Sequence, residues 1–137
     1  ASCKDGVAVT NFGTPRPIHK GTRLTVRGEI IPCQHGLHGS ETALDALRYS
    51  QGCMVSRVRL SGHIVPHGSP TDKHSASVRL HLDEPTDATA TLIAFGEWCA
   101  QLAHVVAFDA AWAAAAWAGI NTKLDAMLTE LLEANDA

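Results

Sequence analysis

Three metal-binding donors lie within six residues of this sequence. Cys33, His35 and His38 carry a thiol and two imidazoles, and zinc accepts such a set because Cys and His are its usual protein ligands. The C-x-H-x-x-H spacing matches no standard structural zinc motif, and eight histidines in 137 residues bring some together by chance. A zinc site is one hypothesis, with free thiols as the alternative for the four cysteines. A fourth zinc ligand would come from Cys53, His63 or His67.

The same run has a purely local interpretation. Gly36 and Gly39 are typical turn residues, and Ser40 can cap the helix that follows. In that interpretation, His35 and His38 are exposed to solvent and carry no chemistry.

A second group of side chains is cationic. Arg57 and Arg59 share the polar side of one predicted strand, and Arg79 and His81 share that of another. Together they could form a patch for a phosphate group or an acidic partner. A solvated sheet face is the alternative.

Charge is distributed unevenly along the chain. Residues 1–70 carry eight Lys/Arg against four Asp/Glu, and residues 71–137 carry three against ten, for a net charge of −3. This balance argues against a nonspecific nucleic-acid binder, yet the first half could hold one phosphate-bearing ligand. No apolar run is long enough for a membrane span, and no signal peptide opens the sequence. The expected location is therefore the cytoplasm.

Hydrophobic periodicity predicts the elements that position these residues. Three stretches alternate apolar and polar side chains and should be strands of one sheet: residues 24–30, 54–65 and 75–82. A helix is predicted over residues 41–49, with Ser40 as its cap. His63 and His67 flank Pro66 and are expected in an exposed turn.

After Pro85 the period changes from 2 to 3.6, which predicts helices over residues 86–106 and 109–133. We therefore predict one α+β domain covering residues 1–137. Residues 3–84 form a small, mostly antiparallel sheet with one short helix. Residues 86–134 form a helical hairpin or one long bent helix, packed on the sheet or on a partner.

The C-terminal region is rich in alanine and tryptophan. Eight of the twelve residues 107–118 are alanine, and small side chains let another helix approach closely. That helix belongs either to the same chain or to a second copy. In both cases we expect a bulky substitution at Ala114 or Ala115 to cost ~1–3 kcal/mol through overpacking.

Several short motifs carry a resemblance to a known family. They are Gly-Leu-His at 36–38, Ala-Leu-Asp-Ala-Leu-Arg-Tyr at 43–49, Arg-Val-Arg-Leu-Ser-Gly at 57–62, His67-Gly68 and Asp72-Lys73. With them, residues 3–82 resemble an uncharacterised domain family of phages and prophages, and the tail is similar to tails of that family. The resemblance implies an accessory protein that acts on a host or defence component in the host cytoplasm.

Residues 36–62 also resemble, more distantly, the core of poly(ADP-ribose) polymerase-type ADP-ribosyltransferases. The resemblance implies NAD as cofactor, with His38 and Tyr49 as the two walls around nicotinamide and Ser40 beside them. It gives His19 the place of the ribose-binding histidine. Glu84 is then the downstream glutamate available to stabilise the oxocarbenium charge that develops when the glycosidic bond of NAD breaks.

Three functions stay open at this point. The first is an ADP-ribosyltransferase-like enzyme acting on a host or defence protein. The second is a non-catalytic interaction or inhibitor module that dimerises through its C-terminal helices. The third is a small zinc-binding domain.

Overall fold

The computed structural model describes residues 2–4, 7–9, 16–32, 34–49, 52–103 and 110–136. Over these residues the chain has the predicted α+β fold, with short antiparallel strands and three helices. The strands are β1 (Ser2–Lys4), β2 (Val7–Val9), β3 (Arg16–Pro17), β4 (Arg23–Thr25), β5 (Leu37–Gly39), β6 (Met54–Val55), β7 (Val58–His67), β8 (Lys73–His81) and β9 (Thr86–Asp87). The helices are α1 (Ala43–Tyr49), α2 (Thr89–Ala103) and α3 (Ala110–Asn135).

Strand β8 is the middle of the main sheet. Strand β7 pairs with it antiparallel over its whole length, from Val58 opposite His81 to His67 opposite Lys73. Strands β4 and β5 follow one another along the other edge of β8, also antiparallel. The prediction that β4, β7 and β8 belong to one sheet is confirmed. Strands β1, β2 and β3 form a separate antiparallel sheet.

The predicted strand over residues 54–65 is in fact two strands in two sheets. Strand β6 pairs with β9, whereas β7 pairs with β8. The turn expected at His63 to His67 is wrong, because both residues belong to β7 and the turn follows at residues 68–71. The predicted strand over residues 24–30 ends early, at Thr25, and the chain bends at Gly28, where φ is +92°.

A bulge in β7 fixes its register against β8. Ser61 lies opposite Val78 and Ile64 opposite Ala76, so two residues of β7 face one residue of β8. Gly62 occupies the bulge with φ +74°, and a Cβ there would collide with the Ser77 hydroxyl. Only glycine fits this position without strain.

Helix α1 begins two residues later than predicted, and its cap is Thr42. The Thr42 hydroxyl accepts a hydrogen bond from Asp45 N–H at 3.3 Å, so the assignment of Ser40 as cap is wrong. A carboxylate of α3 assists, since Asp125 accepts the N–H of Ala43 at 2.7 Å. Long-range pairing therefore selects between two residues that could each cap the helix.

Helices α2 and α3 pack together and cover β6 and α1. Their common core includes Phe95, Leu124 and Leu128, all buried, with Leu44 and Val55 packed against it. Within the described residues the two predicted helices are confirmed, except that residues 86–87 form β9 and α2 begins only at Thr89. Residues 104–106 and 109 of the prediction lie outside the described part of the chain. The side chains of Ala114 and Ala115 lie outside the described part of the chain, so the expected cost of a bulky substitution there stays a prediction. No helix in the described ranges is both long and apolar enough to cross a membrane.

Candidate functional site

The polar side of β8 is buried, which a solvated sheet face would not allow. Lys73 is 7% exposed, Arg79 4% and His81 3%, and Ser75 is fully buried. The alternative that Arg79 and His81 face solvent is therefore wrong. Charged groups lose hydration on burial, so such a row needs compensating polar contacts.

A cavity of about 590 Å³ lies between β8, α1 and α3. His38, Ser40 and Tyr49 all line it, so the structure brings together the three residues that sequence analysis assigned to NAD. Lys73, Arg79 and His81 line it from β8, and Asp125 and Leu128 line it from α3.

Two cations converge on His38. The guanidinium of Arg79 donates a hydrogen bond from Nη1 to the His38 carbonyl oxygen at 3.0 Å. The Nζ atom of Lys73 lies 4.1 Å from the centroid of the Tyr49 ring, in cation–π contact. The Tyr49 hydroxyl donates to Asp72 at 2.7 Å, which fixes the ring beneath the ammonium group. Two cationic side chains, Lys73 and Arg79, therefore lie at this end of the cavity, with the Asp72 carboxylate at the Tyr49 hydroxyl.

The His38 imidazole is neutral at physiological pH. Burial lowers its pKa to about 4, and the charges of Lys73 and Arg79 act in the same direction. Its ring meets that of His67 edge to face, with centroids 5.9 Å apart. Burial also lowers the pKa of His67, whose Nε2 lies 2.7 Å from the Ser75 hydroxyl. Lys73 and Arg79 therefore carry the positive charge at this end, and the imidazoles add none.

The other end of the cavity contains His81 and Ser56. His81 Nδ1 lies 3.2 Å from Ser56 Oγ, and that hydroxyl is 2.9 Å from the Asp83 carbonyl oxygen. Burial, followed by the charge of Arg79, lowers the pKa of His81 to about 4. His81 is thus a neutral imidazole oriented by a serine hydroxyl.

A buried carboxylate holds Arg57 beside this end. Asp83 accepts from Arg57 N–H at 2.8 Å, from Nε at 2.9 Å and, on its other oxygen, from Nη2 at 2.9 Å. These hydrogen bonds lower the pKa of Asp83 and raise that of Arg57. Arg57, just before β7, is therefore engaged with Asp83. Arg59 of β7 is exposed and is not part of the cavity lining.

His19 and Glu84 meet each other but lie outside the cavity lining. Their side chains are 2.9 Å apart and both are well exposed. Glu84 also accepts the Lys20 N–H at 2.9 Å, and this bond is the main cause that lowers the Glu84 pKa. Glu41 does line the cavity, and of the carboxylates in the lining it is the nearest to His38 in the sequence.

The structure describes two of the three proposed zinc ligands, His35 and His38. Cys33 lies outside the described residues, and His35 is exposed with its Nε2 against the Arg27 carbonyl oxygen. In the described ranges, no three His, Cys, Asp or Glu side chains form a group that could hold a metal ion. Cys53 and Cys99 are free thiols, in agreement with the alternative prediction for these two residues.

Lys73, Ser56 and Asp83 interact with site residues, although the sequence pattern predicts no site role for them. The sequence contains evidence for a role of Lys73, because its position places it on the same side of the strand as Arg79 and His81. Lys73 also belongs to the Asp72-Lys73 motif of the resemblance. Ser56 and Asp83 gave no signal, since they interact only after β7 and β8 pair.

Comparison of the chain with protein-family models, with curated proteins and with solved structures found no match.

Proposed function

We propose that this protein binds a phosphate-bearing nucleotide in the cavity between β8, α1 and α3. The single observation that carries the proposal is the placement of two buried cations, Lys73 and Arg79, beside His38 and Tyr49 in one cavity. Cations removed from water attract a phosphate group more strongly than exposed ones, because the local dielectric constant is low. Aromatic and apolar lining residues suit the base or sugar of a nucleotide.

The charge of Lys73 beside Tyr49 should make the cavity discriminate between NAD and ADP-ribose. NAD is the cofactor that the resemblance implies, and its nicotinamide ring is cationic. Lys73 already lies 4.1 Å from one face of Tyr49. A nicotinamide stacked on the opposite face would lie about 7–8 Å from Nζ, where two positive charges repel by roughly 2 kcal/mol. We therefore expect ADP-ribose, which lacks that ring, to bind at least tenfold more tightly than NAD.

Transfer of ADP-ribose is the finer form of the proposal. It requires a carboxylate near the glycosidic bond. Glu84 would have to move to reach the cavity, whereas Glu41 already lines it. In this step nicotinamide leaves NAD, and the ADP-ribosyl group passes to water or to a nucleophilic side chain of the target protein. If Glu41→Gln abolishes nicotinamide release and Glu84→Gln retains it, Glu41 is the carboxylate that assists cleavage of the glycosidic bond. The reverse pattern would assign the role to Glu84.

Titration calorimetry with ADP-ribose, ADP, NAD and pyrophosphate tests the binding proposal. Lys73→Met should weaken ADP-ribose about tenfold and reduce the preference over NAD. Arg23→Met removes one exposed cation of β4 that is not part of the cavity lining, and should leave both affinities unchanged. Absence of binding by all four probes at millimolar concentration would reject the proposal.

A helix-mediated interaction module is the second candidate. Two large apolar side chains favour it, because Ile93 of α2 is 59% exposed and Trp117 of α3 is 49% exposed. A host protein or a second copy of the chain would cover them. Sedimentation of the native protein and of Ile93→Asn over a range of concentrations tests the homodimer, since a monomer in both cases would exclude it.

A further inference from the structure

The Nε2 atom of the His81 imidazole is buried and unpaired among the residues that the structure describes. The side chain is 3% exposed, and its Nε2 atom has no hydrogen-bond partner among the residues that the structure describes. A buried polar atom in this state destabilises the fold, so a native protein retains it where a ligand or water completes the bond. His81 is also one of the residues that line the cavity.

The contacts at Nδ1 determine what Nε2 can do. Ser56 has a single hydroxyl proton and lies 2.9 Å from the Asp83 carbonyl oxygen, which can only accept. When Ser56 donates to that carbonyl, its oxygen accepts from His81 Nδ1–H at 3.2 Å. Both bonds are then made, and the neutral ring carries its proton on Nδ1. The Nε2 atom is left with a lone pair and accepts hydrogen bonds.

We infer that His81 Nε2 accepts a hydrogen bond from a sugar hydroxyl of the ligand held in the cavity. A hydroxyl fits better than a phosphate, because a phosphate oxygen would meet the lone pair with another lone pair. It also fits better than an ammonium or guanidinium group, because Arg79 lies on the same strand and repels a further cation. This inference rests on the proposed function: the phosphate lies at Lys73 and Arg79, and the sugar lies toward His81.

Ser56 is a positioning residue in this arrangement. Its hydroxyl selects the tautomer of His81, and replacing it by alanine removes that selection. Ser56→Ala should therefore populate the other tautomer, with the proton on Nε2, without removing the imidazole. Ser56→Thr retains the hydroxyl and should restore the native tautomer.

The direct test is ¹⁵N NMR of the histidine side chains of the native protein, with the resonance of His81 identified by its loss in His81→Gln. We expect Nε2 to give the signal of an unprotonated nitrogen and to shift when ADP-ribose, or D-ribose alone at high concentration, is added. Pyrophosphate should shift it much less. A protonated Nε2 in the native protein, or a resonance that neither sugar probe moves, would overturn the inference.

A variant separates this inference from the proposed function. His81→Phe keeps a ring but removes the acceptor, and should weaken ADP-ribose roughly tenfold while leaving pyrophosphate affinity unchanged. Equal loss for both probes would show that His81 only supports the fold and would overturn the inference. Failure of the proposed function would look different, because the native protein would then bind no phosphate-bearing probe. Ribose would still report on Nε2 in that case.

Discussion

Mild acid should destabilise this fold through two histidines, His81, which is buried, and His38, which is half-buried. The pKa of His38 and that of His81 are both lowered to about 4 in the folded protein, whereas an unfolded histidine titrates near 6.5. At pH 5 the unfolded imidazole is almost fully protonated, and the folded one is roughly one-tenth protonated. Because the unfolded state then binds more protons, the free energy of unfolding falls as the pH falls.

The expected magnitude is about 2 kcal/mol for each imidazole between pH 7.5 and pH 5. Together, His38 and His81 give about 4 kcal/mol, a large share of the 5–15 kcal/mol that is typical of a domain. Carboxylates contribute little in this window. The pKa of Asp83 is lowered by its hydrogen bonds to Arg57, so its contribution to stability is present above about pH 4 and is lost only in stronger acid.

Urea unfolding followed by tryptophan fluorescence measures this effect at pH 7.5, 6 and 5. His81→Gln should remove about half of the pH dependence, and the double variant with His38→Gln should remove most of it. His35→Gln is the matched control, because His35 is an exposed histidine that is not part of the cavity lining. A free energy of unfolding that changes by less than about 1 kcal/mol between pH 7.5 and pH 5 would refute the reasoning.

Four further substitutions test the fold by urea unfolding, with circular dichroism as a second measurement for one of them. Gly62→Ala should cost more than about 1 kcal/mol, because φ is positive and the new methyl meets Ser77, whereas Gly119→Ala in α3 has open space and should gain about 0.5–1 kcal/mol. Equal effects of the two would contradict the bulge geometry. Asp83→Asn should cost about 1–3 kcal/mol by weakening the buried bonds to Arg57, and a neutral outcome would show that the pair contributes nothing. Asp125→Ala should cost ~1 kcal/mol and reduce the helicity of α1, which circular dichroism measures; unchanged helicity would show that Thr42 caps the helix alone.

Periodicity predicted those parts of the fold in which the pattern of burial repeats along one element. Strand β8 and helices α2 and α3 were found near their predicted bounds for this reason. The predicted strand over residues 54–65 failed because alternation alone gives no information about the partner. Strand β6 pairs with β9 and β7 pairs with β8, and the chain changes sheet between them.

The candidate site was predictable only in part, because the sequence pattern does not show which distant elements cover a strand. His38 and Tyr49 were selected by resemblance, and they do line one cavity. Periodicity leaves open whether the polar side of β8 is a binding patch or a solvated face, because a period of 2 normally separates a core face from a water face. Here residues of α1 and α3 line a cavity over the second face of β8. The sequence pattern does not predict this arrangement, because contacts such as that of Asp125 with Ala43 join distant segments.

The position of β8 in the chain has a consequence for biosynthesis. It is the last of its four strands to leave the ribosome, and it alone joins them, since Leu24 pairs with Arg79 and Leu37 with Ala76. Until it emerges, the nascent strands β4, β5 and β7 have no middle strand to pair with. Such long-range pairing folds slowly, and unpaired strand edges invite aggregation. Helix α3 is translated later still, so the cavity is completed only after the sheet that forms its floor.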